Sequence, residues 1–328
     1  MIWTIGVDVS KAKLDVALLK SDDKYRDKVF ANNQTGFRQL LQWIQTHVPL
    51  DQAGVQVQVC MEATGSYHEA LALFLVDNGI AVSVVNPLLV KRFIEVDRVR
   101  NKTDAGDARC LARFCQMTKP ALWEAPSTGV RALQALVLRL QTLQEIHQGE
   151  HNRLEVAHGA VQQSIREVME DLQKSIKTVQ EQIRKTIDDD PDLKQRRDLL
   201  ITIPGLGDKT IPQLLAYIGR PERFKNVKAL IAYATLAPLI RQSGTSLNKN
   251  KGTHPQGNRE LRSALYFPAM VAGKHNPLIA AFWQRLKAQN KPGKVIVVAC
   301  MHKLLAIAYG VLKSGKPFNA HHLKPIGT

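Results

Sequence analysis

Hydrophobic and polar positions alternate, then recur every three or four residues, along the first 120 residues. Trp3–Asp8 is an apolar run ending in an acid, and Leu14–Leu19 follows it after a short polar break suited to a tight hairpin. Lys24–Phe30 reads as a more polar, edge-like strand, and Val55–Met61 as a β-branched strand with clear alternation. Ala81–Val85 is a short apolar strand stopped by Asn86-Pro87. Helical spacing appears over Phe37–Val48, Tyr67–Asn78 and Asp104–Gln116. An antiparallel opening followed by strands alternating with helices predicts a mixed sheet with helices on its faces.

The pattern changes after the break between Pro120 and Pro126. Leu133, Leu136, Leu140 and Leu143 step by three and four, as do Val161, Ile165, Val168, Leu172, Ile176, Val179 and Ile183. These seams, with charged outer faces, end at Asp188-Asp189-Asp190-Pro191 and predict either a helical hairpin or coiled coil, or an ordinary bundle. From Leu199 on, short helical segments are separated by glycine loops, a mainly α domain. The expected organisation is 1–120, a connector over 127–190, and a basic domain over 195–328.

Composition sharpens this picture at one end. Hydrophobic residues make up 45% of the 328, which excludes a disordered tail. The net charge is +16, and from Arg241 to Thr328 fourteen lysines and arginines face one acid, Glu260. Solubility does not require removing nearly every acid from a quarter of a chain, so the expected partner is a polyanion, nucleic acid. The segment lacks a basic amphipathic helix with an aromatic face, and no apolar run approaches the roughly 20 residues that span a bilayer, so no membrane role is expected. Cys60, Cys110, Cys115 and Cys300 form no CxxC pair, and the N-terminus has no signal-peptide pattern. A cytoplasmic, nucleoid-associated location fits.

Candidate chemistry lies in four acids. Asp8 and Glu62 end predicted strands, and Asp104 and Asp107 share one face of a predicted helix that Thr103 can cap. Each alone suits a turn or a helix dipole. Together, at one sheet edge, they would hold one or two Mg2+ (or Mn2+) ions that activate an oxygen and neutralise a phosphodiester. Gly6, Gly65 and Gly106 would let a ligand come close to the backbone. An actin-like sugar kinase also opens with Gly-x-Asp, but it needs a glycine-rich hairpin turn, and Ser10-Lys11-Ala12-Lys13 has none.

Two features stand further along. Ile203-Pro204-Gly205-Leu206-Gly207-Asp208-Lys209-Thr210 has the helix-hairpin-helix signature, whose turn can present amides to a phosphate; a plain glycine connector is the less favoured alternative. Gln242-Ser243-Gly244-Thr245-Ser246, after a helical run, precedes Lys249, Lys251, His254, Arg259 and Arg262. A serine in such a flexible basic loop could attack a phosphodiester, with the cations stabilising the phosphorane, although Ser-Gly is common in loops.

With these residues in view, the chain resembles the insertion-sequence 110 family transposases, the bridge-RNA-guided recombinases related to Piv-type DNA invertases. The resemblance rests on IGVDVSKAKLDVAL (5–18), CMEATGSY (60–67), VNPLLVKRF (85–93), RNKTDAGDARCLARF (100–114), ITIPGLGDKT (201–210), the Ser243-Gly244 step, GNRELRSALYFPAMVA (257–272) and KLLAIAYGVLKSGKPF (303–318). It implies an α/β RuvC-like, RNase H-type N-terminal domain with an Asp-Glu-Asp-Asp set at Asp8, Glu62, Asp104 and Asp107, and a coiled-coil connector. The C-terminal transposase domain would carry a nucleophilic serine, best matched by Ser243 with Ser246 as rival. It further implies double-stranded donor and target DNA, a structured guide RNA from the element, and a homo-oligomer, dimer or tetramer. Gly205, Gly207, Lys209, Lys249, Lys251, Arg259 and Arg262 are the expected nucleic-acid contacts.

Overall fold

Ile2–Val9 forms the first strand, β1, and β2 (Lys13–Leu19) returns antiparallel beside it, with β3 (Tyr25–Ala31) antiparallel outside β2. Helix α1 (Gln34–His47) starts at Asn33, whose side chain accepts from the Gly36 amide. Strand β4 (Gln56–Glu62) then lies parallel to β1 on its other side. Helix α2 (Glu69–Asp77) leads to β5 (Ala81–Val85), parallel to β4, which completes the order β3-β2-β1-β4-β5. Helices α3 (Pro87–Asp97) and α4 (Asp104–Thr118) follow. The computed structural model describes residues 2–20, 24–63, 67–97, 104–243, 247–253 and 257–320; the side chains of 96, 97, 104, 105, 238–243 and 247–253 are outside that description.

The alternation of side chains decides which face each helix covers. Ile5, Val7 and Val9 share one face with Leu14, Val16, Leu18, Val57, Val59, Met61 and Val82, and Phe37, Leu40, Trp43 and Ile44 of α1 with Leu71 and Leu75 of α2 close over it. The opposite face carries Gly6 and Cys60, and there Leu111, Phe114 and Cys115 of α4 pack with Val85 and Val90. A Cβ at Gly6 would stand 2.0 Å from the Ala108 carbonyl oxygen and 2.4 Å from the Ala112 nitrogen. Gly6 therefore serves close packing of α4 on β1, and not the ligand approach expected of it. Gly65 and the capping residue Thr103 lie outside the described residues.

Helix α3 was not expected. Asn86-Pro87 ends the strand, but it also begins a helix: the Asn86 side chain accepts from the Leu88 amide at 2.9 Å, and Pro87 has the fixed φ a first helical turn tolerates.

The chain divides into two compact units, Met1–Ala125 and Pro126–Thr328. The second opens with two long helices, α5 (Thr128–Val156) and α6 (Gly159–Asp189), packed on each other through Leu133, Val137 and Leu143 and through Ile176, Val179, Ile183 and Ile187. Nearer the turn between them, Ile146, Val161 and Val168 are exposed. Asp190 caps α7 (Pro191–Leu200), and α8 (Ile211–Ile218) and α9 (Val227–Tyr233) follow. Strands β6 (Pro238–Ser243) and β7 (Leu247–Thr253) pair antiparallel, then come α10 (Arg259–Ala264), α11 (Tyr266–His275), α12 (Pro277–Ala288) and α13 (Gly293–Ser314).

Helix α13 is apolar almost all round because it is the core of this unit. Val297, Met301, Leu304, Leu305, Ile307 and Val311 are all buried, each such side chain contributing about 2 kcal/mol of transfer free energy. By length and composition it would suffice to cross a membrane, which reading for uninterrupted apolar runs did not reveal because His302 and Lys303 interrupt it.

Candidate active site

Register places the acids of the sheet in one line. Asp8 pairs with Asp15 across β1 and β2, and Val7 pairs with Met61 across β1 and β4. The next residues along those parallel strands, Asp8 and Glu62, are thus neighbours at the same edge, and Glu62 in turn pairs with Val85. All lie on the face that α4 crosses, since they are an even number of residues from Gly6 and Cys60. Gly6, beneath Ala108, is two residues from Asp8, about 7 Å along the strand. Asp107 immediately precedes Ala108, and Asp104 begins the same helix one turn earlier. Asp8, Glu62 and Asp107 are each half-buried, at the margin between sheet and solvent, while the Asp104 side chain lies outside the description. Among the described residues no three His, Cys, Asp or Glu side chains converge closely enough to hold a metal ion. The donor chemistry nevertheless fits Mg2+, which takes hard oxygens from one or two carboxylates and leaves the rest of its shell to water and phosphate.

A further member of this line escaped sequence reading. Asp15 is 7% exposed, and its Oδ2 lies 3.1 Å from Lys13 Nζ, two residues back on the same face of β2. An acid in the middle of Leu14–Leu19 looks like an interruption of an apolar strand; only the pairing with Asp8 gives it a place beside the others. Below this row, Arg109 of α4 donates to both oxygens of Asp27 on β3, and that pairing holds the guanidinium protonated. Cys60, one row in from Glu62, has its thiol pushed up by the Cys115 side chain first and by burial second, so it is chemically quiet.

The second set of expected residues is spread over the other unit. Ser243 is the last residue of β6 and pairs with Leu247, so it ends a strand and is not in a loop after a helix. Two runs separated by three residues that include a glycine are a hairpin signal, but the polar sequence Asn248-Lys249-Asn250-Lys251 hides it. Arg241 pairs with Lys249, and Lys251 follows on β7. Ser246 and His254 lie outside the described residues. Gly205 has φ +104°, and a Cβ there would meet Ala272 of α11 at 2.5 Å, so this glycine fits a left-handed turn against a helix. Gly207 and Lys209 are exposed at the start of α8, and Arg259 is exposed on α10. Arg262 is half-buried and donates to the Thr235 hydroxyl at 2.6 Å, so part of its guanidinium is engaged within the fold.

A transposase family model of the DEDD, IS110 type matches residues 5–157, and the model for transposases of the IS116/IS110/IS902 family matches residues 197–284. The chain is 35% identical over 317 residues to the pilin gene-inverting protein of Moraxella bovis, across 96% of this chain and 97% of that protein. It belongs to the IS110 family of transposases. The pilin gene-inverting protein of Moraxella lacunata is similar to the same degree, and a 43.6 kDa protein of insertion element IS110 from Streptomyces coelicolor is 28% identical over 119 residues, 36% of this chain and 29% of that one. As an IS110-family transposase the protein is a DNA recombinase, an enzyme whose substrate is DNA, and DEDD-type transposases typically use divalent metals. Its mixed sheet with a mostly helical second part is consistent with a RuvC-like fold in this family.

Proposed function

We propose that the protein moves an insertion element by RNA-guided, site-specific recombination through a phosphoserine intermediate. The observation that carries this reading is the line of strand-end acids, Asp8 beside Glu62, on the face crossed by the helix that begins with Asp104 and Asp107. These four acids would hold Mg2+ or Mn2+ at the scissile phosphate. The bound ion would neutralise phosphate charge and make nearby oxygens more acidic.

Ser243 is the nucleophile in this reading, supported by its place at the end of β6 in the strongly basic stretch after Arg241. The Oγ–P bond forms, the P–O3′ bond breaks, and the serine proton ends on the departing 3′ oxygen. The products are a 5′-phosphoserine and a free 3′-OH. Attack by another 3′-OH reverses the step and restores a phosphodiester without a high-energy cofactor. The cations of the hairpin, Lys249 and Lys251, with Arg259, stabilise the charge of the phosphorane.

In the same reading α5 and α6 form a coiled coil that joins copies into a dimer or tetramer. Residues 201–210 act as a helix-hairpin-helix that grips a phosphate through the amides near Gly207 and Lys209, and the element's RNA pairs with donor and target DNA. The protein works at the nucleoid.

The test is trapping on a nicked suicide substrate, with and without the element's RNA. The expected result is a covalent protein–DNA product whose phosphodiester maps to Ser243 by mass spectrometry, lost in Ser243→Ala and kept in Ser246→Ala. Cleavage with no adduct in the unaltered protein would replace this reading with a junction-resolving nuclease that uses metal-activated water.

A further inference from the structure

Helices α12 and α13 bring two cations onto one aromatic ring. Lys303 Nζ lies 4.7 Å from the centroid of the Phe282 ring, and the Arg285 guanidinium carbon lies 5.1 Å from it. Phe282 is partly buried and packs on the core of this unit, which fixes the ring. Arg285 is exposed, and Lys303 is half-buried. Burial lowers the ammonium pKa of Lys303, and the neighbouring Arg285 lowers it further. Among the described residues neither cation forms an ion pair with a carboxylate, and the only acid after Glu222 in the chain is Glu260.

This arrangement differs from the ordinary solvated lysine. An exposed lysine needs neither a ring nor a neighbouring arginine, and a core position that only needed filling would take methionine or leucine without the desolvation cost of a charge. Two like charges held on one ring, with no carboxylate paired to either among the described residues, are short of an anion. A phosphodiester is that anion: the guanidinium fork of the exposed Arg285 and the ammonium of the half-buried Lys303 can both donate to its non-bridging oxygens.

We infer that Lys303 and Arg285, seated on Phe282, form a contact for the phosphodiester backbone of DNA on the α12–α13 face. Both cations lie beyond residues 197–284, where the second family model matches, and neither is among the basic residues assigned above. It rests only on the DNA substrate of the family; it requires neither the carboxylate line nor Ser243, so failed covalent trapping leaves it standing. The contact is with the backbone, so it positions DNA without reading its sequence.

The full chain and its variants should be titrated with random-sequence duplex DNA of about 30 base pairs across a salt series. The expected result is that Lys303→Met and Arg285→Gln each weaken binding equally for all sequences and reduce the log–log salt slope by roughly one, whereas Lys303→Arg keeps the slope. Lys303→Met should unfold at the same temperature as the unaltered protein or higher, because the buried charge is gone. An unchanged slope in the exposed-site variant Arg285→Gln overturns the inference, whatever Lys303→Met does to stability. A loss of slope seen with an RNA hairpin of similar length but not with duplex DNA overturns the assignment to DNA.

Discussion

Between residues 1 and 125, fifteen lysines and arginines meet fourteen acids; between 126 and 328, thirty meet fifteen. The near-neutral unit keeps its charges at chosen positions. Asp8, Asp15 and Glu62 stand in one row, with Lys13 against Asp15 and Arg109 against Asp27. The second unit accumulates charge, and most of its excess falls after Arg241. Placement suits a task that depends on distances between oxygens, and accumulation suits a task that depends on how many counterions are released. The two units should therefore respond differently to the same kind of damage.

Single carboxylate changes give the largest effect. Asp8→Asn, Glu62→Gln, Asp104→Asn and Asp107→Asn should each slow strand cleavage roughly a thousandfold, since a lost metal ligand forfeits several kcal/mol of transition-state stabilisation. DNA binding and the unfolding temperature should stay close to those of the unaltered protein. Near-normal single-turnover cleavage in Glu62→Gln would end the idea that the first unit works by position.

The next test moves no charge at all. Gly6→Ala puts a methyl group within 2.0 Å of a carbonyl oxygen, so α4 must shift on β1. Overpacking of this kind costs about 1–3 kcal/mol. Chemical denaturation should show that loss, and cleavage should fall further than stability does, because α4 carries Asp104 and Asp107. Equal cleavage per folded molecule would mean that the distances are not critical.

Much of the first unit was legible because its strands bury one face and alternate accordingly: β1, β2, β4 and β5 fall within a residue or two of their expected ends. Helix α3 was hidden because Asn-Pro both stops a strand and caps a helix. The β6–β7 hairpin was hidden because its pairing comes from backbone groups, and a strand reading Asn-Lys-Asn-Lys gives no hydrophobic period. Asp104, Asp107, Asp8 and Glu62 were visible as types at telling places. Asp15 was not, because membership in the row depends on register between strands.

A smaller effect should come from the long helices. Glutamate at both Val168 and Leu172 of α6 should reduce the oligomer mass in light scattering, since Val168 is 45% exposed in the single chain while Leu172 packs at its side. Unfolding should shift by only a few degrees if the base of the hairpin, Leu133 to Ile187, carries the fold. An unchanged mass would leave these helices as an internal bundle.

The smallest effect concerns acid. His302 on α13 has its pKa pushed below 6.5 by burial, so the folded protein prefers the neutral ring. Its contribution to stability is full above 6.5 and declines as pH falls toward the folded value. His302→Gln should flatten the fall in unfolding temperature below that point; an identical acid limb in both proteins would show that His302 titrates equally when folded and unfolded.

The outer strands of the sheet differ in a way that bears on crowding. Along β5 the chain runs back, and Trp123 donates its amide to the Val82 carbonyl at 2.7 Å, so that border is partly closed. Among the described residues no strand pairs beyond β3, and Arg26, Asp27 and Lys28 stand exposed in its middle. Another copy approaching edge-on would have to strip water from ions of both signs before gaining a single backbone bond. Many molecules gathered on one stretch of DNA are thus kept from zipping together, edge to edge, into a continuous ribbon.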